Sequence, residues 1–125
     1  FIAEAQHHFV KGDVVHITNV IHNLLDNAIK YAESHPAVTV RTYNDSDRNV
    51  MVEVADNGVG ISRQHQKMIF EKFYRVPTGD LHSVRGFGLG LFYVKTILKA
   101  HKANIKVNSE PGKGSTFTLI FKTEK

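Results

Sequence analysis

Cysteine is missing altogether from these 125 residues. That excludes disulfides and thiolate metal sites, and it is compatible with an intracellular setting. No apolar stretch approaches the roughly 18 residues that a membrane-spanning helix needs, so no span is expected. The opening segment, "FIAEAQHHFV", lacks a starting methionine, a basic leader and a small-residue cleavage site. It reads as the entry strand of a piece taken from a longer chain. A strong excess of one charge is also missing: Lys and Arg number 16 against 12 Asp and Glu. The surplus suits an anionic ligand but is too small and too dispersed for a nucleic-acid surface. There are eight histidines, yet no H-E-x-x-H and no cysteine companion. His7 and His8, adjacent on a strand, would point to opposite faces, so structural or surface histidines are expected instead of a metal centre. No Ser/His/Asp arrangement stands out either.

What is present describes one domain with a sizeable core, 42% hydrophobic and 22% charged. "KGD" at 11–13 offers Asp13 as a helix N-cap. From there Ile17, Val20, Ile21, Leu24, Leu25 and Ala28 recur at helical spacing until Pro36 bounds the segment. In "AVTVRTYN", Val38, Val40 and Thr42 alternate with Thr39, Arg41 and Tyr43. After the turn-rich "NDSDRN" comes "VMVEVAD", so residues 37–56 read as a hairpin. A short helical pattern covers 62–74 and a loop follows through "VPTGDLHSVRGFG". Leu91, Val94 and Leu98 mark a further helix closing near Ala100–His101. "ANIKVNSE" and "STFTLIFK" make a last hairpin around "PGKG", with Phe117, Leu119 and Phe121 on one face. Locally paired strands between helices predict an α/β fold with helices on one face of a mixed sheet.

Three clusters carry chemistry. On the first helix, His16, Asn19, Asn23, Asn27 and Lys30 fall within about 40° of one line, opposite the apolar residues. Asparagine is a poor helix former, so two of them in "IHNLLDNAIKYA" call for a reason. Either the stripe is a solvated face, or its amide oxygens ligate a hard cation such as Mg²⁺ while Lys30 meets phosphate. The second cluster is "DNGVGI", Asp56–Ile61. Period two continues the face of Val50, Val52 and Val54 to Asp56, and a carboxylate there is costly unless paired. It is either a turn residue or an acceptor for a ligand amine in an apolar cleft, with Gly58 and Gly60 admitting a flat ligand. The third, "GFGLGL", opens a helix, where free N–H groups and the dipole favour a phosphate. It matches neither G-x-G-x-x-G nor G-x-x-x-x-G-K-[ST]. Arg75 and Arg85 bracket the preceding loop, read either as an exposed loop or as a mobile basic lid.

In order, "NLLDNAIKYA", "DNGVGI", "FEKFYR", "GFGLGL" and "GKGSTF" resemble the N, G1, F and G2 boxes, and the closing strand, of the catalytic ATP-binding domain of sensor histidine kinases. That family belongs to the GHKL superfamily, and the resemblance runs from "VKGD" at 10–13 to "FTLIF" at 117–121. It implies the Bergerat fold, a two-layer α/β sandwich with a mixed, mostly antiparallel sheet, spanning residues 1–125. It also implies Mg²⁺ and ATP as ligands. By the same resemblance Asn23 and Asn27 would serve Mg²⁺ and phosphate, Lys30 would contact phosphate, and Tyr31 would lie against adenine. Asp56 would accept the adenine amine in a pocket shaped by Gly58, Gly60 and Ile61. Phe70 and Phe73 would anchor the lid, and Arg75 and Arg85 would belong to it. Gly86, Gly88, Leu89, Gly90 and Leu91 would bring backbone N–H groups to the phosphates. Ser115 stands where a threonine is commoner, and the hydroxyl is retained.

Gyrase-like and chaperone-like members of the superfamily carry a water-activating glutamate four residues before the counterpart of Asn27. Here that residue is Asn23, which implies phosphoryl transfer in place of efficient hydrolysis. The family's nucleophile is a histidine followed by an acid, and none of the eight histidines here is so followed. The acceptor is therefore expected on a separate helical dimerisation domain of the same, homodimeric protein, upstream of Phe1. A response-regulator receiver domain would act downstream. The domain is expected to be cytoplasmic and to touch no membrane itself, its parent protein being anchored in the inner membrane. The rival readings are a GHKL ATPase of the gyrase, mismatch-repair or chaperone type, an anti-sigma serine kinase, and a pseudokinase used as an interaction module.

Overall fold

The computed structural model describes residues 2–3, 14–30, 35, 37–71 and 90–122. Along the chain these form β1 (Ile2–Ala3), α1 (Val14–Lys30), β2 (Val38–Asn44), β3 (Val50–Asp56), α2 (Arg63–Gln66), α3 (Gly90–Ala100), β4 (Asn104–Glu110) and β5 (Gly114–Phe121). The order agrees with the sequence reading, and the proposed cap at Asp13 lies outside the described residues. The five strands lie in the order β1-β2-β3-β5-β4. Only β1, beside β2, is parallel to its neighbour; the other pairs are antiparallel.

One apolar layer joins helices to sheet. Val20 and Leu24 of α1 and Val94 and Leu98 of α3 are buried with Val50, Val54, Phe117, Leu119 and Phe121. On β5 the buried residues alternate as a half-buried strand requires. The helical residues recur at the three-and-four spacing that gives each helix one inward stripe. None of the described helices is long and apolar enough to cross a membrane.

Local chemistry closes the elements. In the β2–β3 turn, Asp45 Oδ1 accepts the N–H groups of Asp47 and Asn49, both at 2.9 Å. The Asn49 amide donates to Oδ2 at 3.0 Å. That side-chain bond, ahead of the backbone bonds, holds the Asp45 carboxyl below its usual pKa. α3 ends as a Schellman motif: Ala103 N–H donates to Leu98 O at 2.8 Å and Lys102 N–H to Lys99 O at 3.1 Å. Lys102 takes the left-handed position there, with φ of 56°.

In the described part of the helical pattern expected over 62–74, the helix is the single turn of α2, and residues 72–74 lie outside the described residues. Beyond Gln66, Met68 N–H bonds to His65 O and Glu71 N–H to Met68 O. These three-residue links make tight turns that do not propagate an α-helix.

Candidate nucleotide site

Asp56 ends β3, half-buried at the edge of the apolar face. Its Oδ1 accepts two backbone N–H groups, from Gly58 at 2.8 Å and from Ser115 at 3.2 Å. Oδ2 has no partner among the described residues. The carboxylate is thus oriented by the backbone, with one oxygen left to accept from a donor outside this set.

Close backbone packing frames it. A Cβ on Gly114, where φ is 87°, would stand 2.0 Å from Asp56 O. A Cβ on Gly60, where φ is 77°, would stand 2.0 Å from Glu110 O. Only glycine fits at either position. Asn57 ties the segment to the approach of β2: its Oδ1 accepts Ala37 N–H at 2.9 Å and its Nδ2 donates to His35 O at 3.0 Å.

On α1, Asn23 and Asn27 are each half-buried. Asn23 Nδ2 donates to Asn19 O one turn back, at 2.8 Å. That commits one amide hydrogen and turns Oδ1 the other way, where it would lie 3.2 Å from a Cβ on Gly90, the first residue of α3. The Asn23 amide oxygen and the positive end of α3 therefore meet in space although 67 positions part them in sequence. The Asn27 side chain has no hydrogen-bond partner among the described residues. No cluster of three or more His, Asp or Glu side chains suited to a metal occurs among the described residues. An oxygen-seeking cation here would rely on amides plus ligand oxygens, the donor set that suits Mg²⁺ beside phosphate.

Ile61, Phe70 and Leu91 pack against the core. Phe70 also lies under the Lys95 ammonium, 5.3 Å from the ring centroid, a cation–π contact that pins it to α3. Ser115 is buried, and its hydroxyl turns to Ser109 at 2.7 Å while its N–H meets Asp56. Tyr31, Phe73, Arg75, Arg85, Gly86, Gly88 and Leu89 lie outside the described residues, as does the side chain of Lys30. His16, counted on the asparagine stripe, places Nδ1 3.1 Å from the Tyr93 hydroxyl and so joins α1 to α3. Sequence reasoning missed Ser109 and Gln66, whose contacts with this segment appear only once the strands are paired. An open cleft of about 420 Å³ lined by Lys95, Lys99 and Lys102 sits between α3 and β4. None of the site residues expected from the sequence lines it.

Residues 12–125 match the family model described as histidine kinase-, DNA gyrase B- and HSP90-like ATPase. The sensor protein RprX of Bacteroides fragilis is 48% identical over 118 residues, which cover 93% of this chain and 22% of that protein. Among solved structures, the mycobacterial sensor histidine kinase MprB superposes with a TM-score of 0.85 at 26% identity, covering 99% of this chain and 83% of that one. Full-length ShkA, solved in complex with AMPPNP, gives a TM-score of 0.79 at 25% identity over 98% of this chain and 25% of its own. The chain spans about a quarter of the length of the curated relatives it matches.

Proposed function

The chain belongs to the histidine kinase-, DNA gyrase B- and HSP90-like ATPase family, and from that premise we propose that it binds Mg·ATP and donates the γ-phosphoryl group to a histidine on a separate dimerisation domain. The observation that carries this is Asp56, whose Oδ1 is held by two backbone N–H groups while Oδ2 has no partner among the described residues. An exocyclic adenine amine is a donor of the right kind for that oxygen, and the glycines beside it let the neighbouring backbone close around Asp56.

When bound, Mg·ATP would supply the phosphoryl group and a cation to offset its negative charge. The chain supplies position and charge, which is most of what phosphoryl transfer asks of a protein. Asn23 and Asn27 offer neutral amide oxygens to the cation, and Lys30 offers an ammonium to phosphate. Tyr31 would lie against the base, with Ile61 beside it. Gly86, Gly88, Leu89, Gly90 and Leu91 would bring backbone N–H groups to the phosphates. Phe70 and Phe73 would anchor a lid, to which Arg75 and Arg85 would belong. Ser115 contributes through its N–H to Asp56.

Asn23 favours transfer over hydrolysis, because an amide does not take a proton from water as a carboxylate does. The acceptor histidine belongs to a dimerisation domain of the parent homodimer, and a response-regulator receiver domain takes the phosphoryl group onward. AMPPNP, an ATP analogue, is the ligand in the ShkA complex, which supports the choice of nucleotide. Asp56→Asn tests the assignment by calorimetry with Mg·ATP: affinity should fall at least about tenfold, as when a charged acceptor becomes an amide facing a donor with a donor. Unchanged affinity would remove adenine from Asp56.

A further inference from the structure

The β4–β5 register sets Ser109 opposite Ser115. Three groups surround Ser109 Oγ: Ile61 N at 2.7 Å, Ser115 Oγ at 2.7 Å and Gly114 O at 2.9 Å. A hydroxyl has one proton and two lone pairs, so the proton assignment follows. The Gly114 carbonyl can only accept and takes the Ser109 proton. The Ile61 N–H can only donate and takes one lone pair. The Ser115 hydroxyl must then donate to the other, and every bonding site on Ser109 Oγ is filled.

Gln66 completes the arrangement from α2. Its Nε2 donates one hydrogen to Ile61 O at 2.7 Å and the other to Ser109 O at 2.9 Å. Ile61 is therefore gripped at both its N–H and its carbonyl. Two residues back, Val59 O accepts Gly112 N–H at 2.8 Å. The stretch after Asp56 is thus fastened to the β4–β5 hairpin, and the fastening runs on through Ser115 N–H to Asp56 Oδ1.

We infer that Ser109 and Gln66 are positioning residues that hold Asp56 and the 58–61 backbone in the geometry needed to recognise an adenine amine. The inference rests on the nucleotide reading above. Neither residue belongs to the groups assigned to touch the ligand; both act through Ile61, Ser115 and Asp56. Recognition by a directed hydrogen bond tolerates only about half an ångström of displacement, so loosening the clamp costs base selectivity before it costs the fold.

The test compares affinity for Mg·ATP and Mg·ITP by calorimetry on the whole chain. Inosine carries a carbonyl where adenine carries its amine and has no hydrogen there to give Asp56. The wild-type chain should prefer ATP. Ser109→Ala and Gln66→Met should each cut that preference by roughly tenfold, about the effect of one lost bond of this kind. Ser109→Thr, which keeps the hydroxyl, should restore it. Gln66→Met conserves side-chain length on a half-exposed residue and keeps the test decisive if Ser109→Ala does not fold. A purely structural role would weaken both nucleotides alike, leave their ratio unchanged, and overturn the inference. Asp56→Asn separates the two levels. If it erases the preference while the clamp variants keep it, the clamp alone fails. If the wild-type chain shows no preference, or Asp56→Asn retains it, the nucleotide reading fails and the clamp falls with it.

Discussion

At the scale of single residues, the glycines of the β4–β5 hairpin separate two effects that usually arrive together. Gly112 and Gly114 both have positive φ, 80° and 87°. A Cβ on Gly112 meets nothing within 4 Å, whereas on Gly114 it strikes the Asp56 carbonyl. Gly112→Ala should therefore cost only the left-handed strain, about 1 kcal/mol. Gly114→Ala adds a backbone collision that only strand displacement can relieve, and should cost about 3 kcal/mol or more. Denaturant midpoints of the two variants measure the difference, and equal losses would remove the collision as its cause. In the sequence "PGKG" reads as a turn and nothing more. That Gly114 also lets β5 approach the end of β3 depends on a partner 58 positions away, which no local pattern encodes.

At the scale of elements, periodicity was enough wherever a helix or strand has one buried face. The inward stripe of α1, the run Leu91, Val94 and Leu98 on α3, and the alternation on β5 appear in the structure as read. Ends are harder, because they depend on a few hydrogen bonds. α2 stops after four residues as its bonding pattern tightens. α3 stops at a Schellman motif whose left-handed residue is Lys102, not the customary glycine. Lys102→Gly should relieve that strain and raise stability by about 1 kcal/mol, seen as a higher melting temperature with an unchanged far-ultraviolet spectrum. A fall in stability would mean that the Lys102 side chain contributes more than its backbone costs.

At the scale of the whole molecule, the site draws on α1, α3, and both central strands, so a ligand that binds it should stabilise the folded chain as a unit. Mg·ATP at about 100 times its Kd should add about 2.7 kcal/mol, a rise in melting temperature on the order of 10 °C for a domain of this size. Omitting Mg²⁺ should shrink the shift, since the asparagine amides carry no charge to offset that of the phosphates. Scanning calorimetry across a nucleotide titration measures both. A melting temperature that ignores nucleotide would count against the site.

By itself the sequence determined the element order, the inward faces and the family, because side-chain periodicity and box motifs are local in the chain. It also singled out Asn23, Asn27 and Asp56, since an amide within a helix and a carboxylate ending an apolar strand both run against local preference. Only the tertiary structure decided which of these groups meet. It set the Asn23 amide against the first turn of α3, and it turned one Asp56 oxygen to the backbone while the other meets no partner among the described residues. It also drew Ser109 and Gln66 into the same network. The physical reason is that hydrogen bonds between distant segments depend on strand register and helix packing, and these are set by burial of the whole apolar layer at once.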